Sequence, residues 1–267
     1  MRTFIVDAFT DKPYSGNPAG VCILDYELSD NLMQNIAREI NYSETAFLLK
    51  QNNQYSLRWF TPKTEVAICG HATLATVHVL YETGMIDKNM TIEFSTKSGI
   101  LKARLTNEMV ELDFPQLFVE QCESNEIIEK AFDIKPLFIG KNDKRYLIEI
   151  DNVEKLKNIK PDFNLLQKSD RLAFMITAKS NDHYDFYSRH FAPGVGINED
   201  PVTGSLHCYV APYWSKKLNK TKLLGFQASE RSGIVECEVV DNNRVLLRGK
   251  AFIMNEMKTD WKNNSQF

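Results

Sequence analysis

Phe60-Thr61-Pro62 followed by Glu65-Val66-Ala67-Ile68-Cys69-Gly70-His71, and Phe191-Ala192-Pro193 followed by Glu199-Asp200-Pro201-Val202-Thr203-Gly204-Ser205, decide the fold. Each stretch gives Phe-x-Pro, then an acid, four residues and a glycine. The likeness continues downstream, where Ser95-Thr96-Lys97-Ser98-Gly99-Ile100 matches Ser229-Glu230-Arg231-Ser232-Gly233-Ile234. Gly70 to Gly99 and Gly204 to Gly233 both span 29 positions. One short motif recurs by chance; two at equal separation indicate duplication. The reading is two copies of one domain, 1–115 and 116–267, with the last residues packing back on the first. A shared site is expected in a cleft where the two glycine turns face each other.

The 267 residues accommodate two medium domains and can bury a core without disulfides or metal. A formal net charge of −3, with no basic cluster interleaved with aromatics, gives no electrostatic footprint for DNA or RNA. Met1-Arg2-Thr3-Phe4-Ile5 enters a strand-like run with no signal-peptide pattern, and no apolar run has the length of a membrane span. The five cysteines are scattered and include no C-x-x-C pair, which argues against a zinc or thioredoxin-like motif and for a cytoplasmic protein with reduced thiols.

Hydrophobic periodicity predicts strands at 3–9, 20–24, 44–49, 55–60, 91–96, 100–106 and 109–114, with a dense turn at Tyr14-Ser15-Gly16-Asn17-Pro18-Ala19-Gly20. Ser29 caps an amphipathic helix over 30–41, and a buried helix runs from Ala72 to Tyr81, stopped by Gly84. The second half repeats the plan. Helices are expected at 124–132 and after Gly204 to Leu218, short surface helices at 151–170, and strands near 136–139, 145–150, 171–178, 184–191, 223–228, 234–240 and 244–250. A frayed tail is expected over 258–267. Tyr213 and Trp214 are read as core. Strand-rich halves with few helices define an α+β class.

Both glycine turns open a helix, where unpaired backbone N–H groups and partial positive charge favour an anion. Gly70 and Gly204 permit close approach, and His71 and Ser205 add polar groups at matching positions. The plainer alternative is an ordinary helix entry. Cys69 matches Thr203, so two thiols acting on opposite faces of one carbon are disfavoured. Two positions apart at a helix start is poor geometry for a Cys69–His71 pair, and Cys69 is read mainly as packing. Glu44, between a helix and an apolar strand, and Asp200, before the second glycine turn, are the acid–base candidates; surface or turn acids are the alternative. Gly194-Val195-Gly196 does not complete a dinucleotide fingerprint, and the chain has neither a P-loop nor a nucleophile elbow.

Ser15-Gly16-Asn17-Pro18-Ala19-Gly20, Ser43-Glu44-Thr45-Ala46-Phe47, Cys69-Gly70-His71-Ala72-Thr73 and Asp200-Pro201-Val202-Thr203-Gly204-Ser205 together resemble the signatures of the PhzF-like phenazine-biosynthesis isomerase family, in the family's order and over nearly the whole chain. The resemblance implies a diaminopimelate epimerase-like fold: two pseudo-symmetric domains, each a sheet wrapped around a central helix. It implies isomerisation of the trans-2,3-dihydro-3-hydroxyanthranilate type without metal or organic cofactor, in a biosynthetic setting, by a homodimer. Glu44 becomes the proton shuttle, with His71 and Asp200 as further catalytic groups. Ser205, Gly70, Gly204 and Asn17 become substrate contacts. The epimerase's two cysteines correspond to Cys69 and Thr203, and the departure at Thr203 argues against its mechanism. The expectation is a cofactor-independent isomerase acting on a small carboxylate-bearing substrate. Its rivals are an amino-acid racemase or epimerase using Glu44 with Cys69 or His71, and a catalytically idle binder of a metabolite or partner protein.

Overall fold

The computed structural model describes residues 1–51, 54–88 and 90–259. The chain divides into two compact units: Met1–Asp113 with the segment returning from Arg248, and Phe114–Leu247. In the first lie β1 (Arg2–Ala8), β2 (Asn17–Leu24), α1 (Asp30–Ile40), β3 (Glu44–Gln51), β4 (Gln54–Phe60), β5 (Glu65–Val66), α2 (Gly70–Glu82), β6 (Thr91–Thr96) and β7 (Gly99–Thr106). β8 (Met109–Pro115) ends this half. The second holds β9 (Glu120–Gln121), α3 (Glu126–Phe132), β10 (Phe138–Lys141), β11 (Arg145–Ile150), α4 (Val153–Asn158), α5 (Phe163–Leu166), β12 (Ala173–Lys179), β13 (Phe186–Phe191), α6 (Gly204–Leu218), β14 (Lys222–Gln227) and β15 (Gly233–Val240). β16 (Arg244–Gly249) and β17 (Ala251–Lys258) follow.

Strand pairing carries the duplication read from the motifs. In the first unit β1–β2 is antiparallel, β2–β3 parallel, β3–β4 antiparallel, β4–β6 parallel and β6–β7 antiparallel. In the second, β10–β11, β11–β12, β12–β13, β13–β14 and β14–β15 give the same alternation. Each parallel pair needs a helical crossover. α1 supplies the β2–β3 crossover and α2 the β4–β6 one; α4 with α5, and then α6, do the same in the second unit. The α+β class expected from the sequence is the one the chain adopts.

α2 is buried on almost every face, from His71 through Tyr81 except His78, so it forms the core of its unit rather than a surface layer. α6 is buried likewise from Leu206 to Trp214 apart from Tyr213. Pro212 lies inside α6 and cannot donate to the Cys208 carbonyl, which accepts the Leu117 N–H at 2.9 Å instead. Trp214 is core, its indole donating to Thr177 Oγ1 at 2.8 Å, whereas Tyr213 is half-buried and its hydroxyl donates to Glu149. Ser29 caps α1 as its sequence predicts, accepting from Leu32 N.

Two local readings change. β2 starts at Asn17, inside the segment expected to be a loop, because Gly16 completes the turn first. Gly16 has φ +71, and a Cβ there would meet the Ala8 carbonyl oxygen at 2.2 Å. β17 was not anticipated; it pairs antiparallel with β1 through Arg2–Ala8. Most of the tail expected to fray, from residue 260, lies outside the described residues. Among the described residues, no helix is long and apolar enough to cross a membrane.

Candidate active site

Two polar clusters contain the residues singled out above, one in each unit. In the first, three element starts converge. Asn17 opens β2, Glu44 opens β3, and His71 is the second residue of α2. The β2–β3 register sets Ala19 opposite Glu44, which brings the two strand starts side by side. Asn17 is fully buried and His71 nearly so, while Glu44 keeps 17% of its side chain exposed, so the carboxylate is the group with an outlet.

His71 is the hub. Its Nδ1 lies 3.3 Å from Asn17 Nδ2, and its Nε2 lies 3.5 Å from Glu44 Oε2 and 3.4 Å from Ser43 Oγ. Ser43 Oγ donates to Asn17 Oδ1 at 3.5 Å. Asn17 Nδ2 can only donate, so Nδ1 accepts and the neutral ring carries its proton on Nε2, directed at the Glu44 carboxylate. These contacts are long for hydrogen bonds, which suits a site that tightens on substrate.

Cys69 corrects its sequence reading. Its Sγ lies 3.6 Å from His71 Nδ1, close enough for a thiol–imidazole contact. The i, i+2 objection holds for two helical residues, but Cys69 is the N-cap in extended conformation, with φ −148 and ψ 114, and its side chain swings back over the first turn. Glu44, Cys69 and His71 place one donor atom each within 4.8 Å of one another, the one group of three such side chains among the described residues able to take a metal ion.

In the second unit Asp200 and Thr203 precede Gly204, which opens α6, and Ser205 follows half-buried at the helix's second position. Thr203 Oγ1 donates to Asp200 Oδ2 at 2.5 Å and lies 3.1 Å from His190 Nδ1. Gln227 ties the turn together. Its Oε1 accepts Thr203 N–H at 2.8 Å and its Nε2 donates to the Asp200 carbonyl at 2.8 Å. His207 Nδ1 donates to the Thr203 carbonyl at 2.8 Å, and burial pushes its pKa down to about 4, the ring staying neutral. His190, Gln227 and His207 carry no motif spacing in the sequence; only the fold brings them to this turn.

Neither N-cap side chain, Cys69 or Thr203, accepts a hydrogen bond from a backbone N–H of its own helix's first turn. The side chain that would satisfy those amides in an ordinary helix is turned toward His71 in one unit and Asp200 in the other. The repeat acids also have matching partners. Arg58 grips Glu65 through Nε and Nη2 at 2.8 Å each, and Arg189 grips Glu199 at 2.7 and 2.8 Å. Glu65 and Glu199 are therefore anchors of the turns rather than acid–base groups.

Residues 6–257 match the family described as phenazine biosynthesis-like protein. A protein of Halalkalibacterium halodurans named as an uncharacterized isomerase is 49% identical over 93% of this chain and 94% of its own length. The crystal structure of a phenazine biosynthesis PhzF-family protein of Enterococcus faecalis superposes with TM-score 0.92 at 39% identity, covering 97% of this chain and 98% of that one. A hydroxyproline epimerase of Agrobacterium vitis has the same fold at 12% identity, with TM-score 0.61 over 96% of this chain and 91% of its own.

Proposed function

From the fact that this chain belongs to the phenazine biosynthesis-like family, we propose that it is a cofactor-independent isomerase that moves a proton on a small carboxylate-bearing substrate. The observation that carries this reading is the largely buried Glu44 carboxylate 3.5 Å from His71 Nε2. A carboxylate held by a directional partner, with part of its surface open, is suited to taking a proton from carbon and returning it elsewhere in a conjugated system. His71, aligned through Asn17, orients the substrate and handles protons on its heteroatoms. The α2 start at Gly70, whose amides are not capped by Cys69, receives negative charge. Asp200, Gly204 and Ser205 are assigned to the same substrate by the family resemblance, Asp200 as proton carrier and the other two as contacts.

Incubation in deuterated water with trans-2,3-dihydro-3-hydroxyanthranilate tests this directly. Conversion with deuterium gained at a ring carbon, reduced by about 10²–10⁴ in Glu44→Gln, is expected. Full turnover by Glu44→Gln would sink the assignment of the shuttle. No conversion rejects this substrate and moves the search to other small carboxylates.

The Cys69–His71 contact favours one second reading, a racemase or epimerase in which the thiol is one of two acid–base groups. It predicts exchange of an α-proton with deuterated solvent that disappears in Cys69→Ser. Thr203 Oγ1, at the place matching Cys69, gives its proton to Asp200, which supports the isomerase. An idle binder predicts ligand binding indifferent to Glu44→Gln and no exchange with any ligand.

A further inference from the structure

The turn before α6 extends inward from Asp200. On β13, Arg189 faces the Glu199 carboxylate and the end of α4, while Phe186, Ser188 and His190 alternate onto the opposite face. On that face the Phe186 ring lies 5.9 Å from the His207 ring of α6, centroid to centroid. His190 meets the turn through Nδ1, which lies 3.1 Å from Thr203 Oγ1 and 3.9 Å from Asp200 Oδ2, the latter beyond hydrogen-bond distance. Its backbone carbonyl also accepts Asp200 N–H at 3.0 Å, so strand and turn are fixed together.

Every proton in this array has an assignable place. Thr203 has one hydroxyl proton, and it goes to Asp200 Oδ2 at 2.5 Å. Gln227 is oriented by its two 2.8 Å bonds, so its Nε2 also donates toward Thr203 Oγ1, at 3.2 Å. Thr203 Oγ1 is thus an acceptor toward His190, whose Nδ1 at 3.1 Å must carry a proton. Among the described residues, His190 Nε2 has no protein partner, and neither has His207 Nε2 nor Ser188 Oγ. His190 is 5% exposed and His207 fully buried. A hydroxyl needed only to hold Asp200 would not require a buried ionisable ring behind it with its far nitrogen left open.

We propose that His190 is the proton reserve of Asp200, a positioning residue that acts through the Thr203 hydroxyl. The imidazolium gives its Nδ1 proton to Thr203 Oγ1 as the Thr203 proton passes to Asp200 Oδ2. Imidazolium and carboxylate become neutral imidazole, protonated on Nε2, and carboxylic acid; charge and protons balance. The reverse transfer resets Asp200 as a base. His207 is not the reserve, since its Nδ1 proton is committed to the main-chain Thr203 carbonyl. Among the described residues, the ionisable groups beside His190 are Asp200 from the turn and His207 from α6; Thr203 and Gln227 do not titrate in this range. The proposal rests on the assignment of Asp200 to substrate proton chemistry.

The test is side-chain ¹H–¹⁵N NMR of the histidines and ¹³C NMR of the Asp200 carboxyl in the full ligand-free chain, in wild type, Thr203→Val and Thr203→Ser. While Asp200 is ionised, neutral His190 should be the Nδ1–H tautomer. Thr203→Val should lose that preference and Thr203→Ser should restore it; circular dichroism establishes that each variant folds. A neutral His190 protonated on Nε2 beside an ionised Asp200 overturns the proposal. So does a tautomer indifferent to folded Thr203→Val. These signals need no substrate, so they stand or fall separately from deuterium uptake and its dependence on Glu44.

Discussion

Arg189 holds Glu199 through Nε and Nη2 at 2.7 and 2.8 Å, and its Nη1 donates to the Ile159 carbonyl at 2.8 Å and the Leu156 carbonyl at 3.2 Å. One guanidinium thus closes the C-terminal end of α4 and anchors the turn that carries Asp200. Arg189 is 9% exposed at the side chain, so Arg189→Ala leaves a poorly hydrated carboxylate and open carbonyls, at a cost of about 3 kcal/mol. The matching Arg58 is 25% exposed and its acid keeps Lys97 as a second partner, so Arg58→Ala should cost about 1 kcal/mol. Urea unfolding of the two variants at neutral pH measures the difference; equal losses would show that burial does not set the strength of these pairs.

That pair of pairs marks where the sequence stopped being readable. Gly70 and Gly204 were legible because a helix start needs them at a fixed offset from the acid. The pairing of Glu65 with Arg58 and of Glu199 with Arg189 was not, since the loops between partners differ in length and hide the correspondence. Glu44 and His71 could be picked out by motif, but their contact depends on β2–β3 register, which no local pattern encodes. Cys69 was misjudged by applying helical spacing to an extended cap. His190 and Gln227 occupy ordinary strand positions, and their importance comes from the turn that the fold lays against them. β17 was missed because it is largely exposed and carries no clean alternation.

Cys69 beside the His71 imidazole should react where other buried thiols do not. Burial pushes Cys22 and Cys208 up to about 12, leaving on the order of 10⁻⁴ of either as thiolate near pH 8. In a Cys122→Ser background, which removes the half-buried thiol, iodoacetamide at pH 8 is expected to label Cys69 and spare both. His71→Asn should slow that labelling about tenfold. Labelling unaffected by His71→Asn would mean that the imidazole does not activate the thiol.

Glu44, Cys69 and His71 also predict a response to soft metal ions, because their donor atoms lie within 4.8 Å of one another. On the cofactor-independent reading, dialysis against a chelator leaves turnover of a converted substrate unchanged. Added zinc should inhibit by occupying the shuttle carboxylate and the imidazole together. Cys69→Ser should weaken zinc inhibition at least about tenfold, as loss of a thiolate ligand requires. Activity lost to the chelator and restored by metal would instead make the ion part of the reaction.

His207 gives the fold a specific weakness to acid. It is fully buried, and burial first of all lowers its pKa from 6.5 to about 4, with the bond to the Thr203 carbonyl opposing the shift. The unfolded chain therefore binds a proton below about pH 6.5 that the folded chain refuses until about pH 4. Stability from this group is complete above that window and is lost as pH falls through it, by about 3 kcal/mol in all. His207→Asn keeps a side-chain N–H for the Thr203 carbonyl and removes the titration. Its urea midpoint should fall less than that of wild type between pH 7 and pH 4.5. An equal fall in both proteins would place the acid sensitivity on other groups that gain protons in that window, carboxylates or His78, whose pKa burial also lowers.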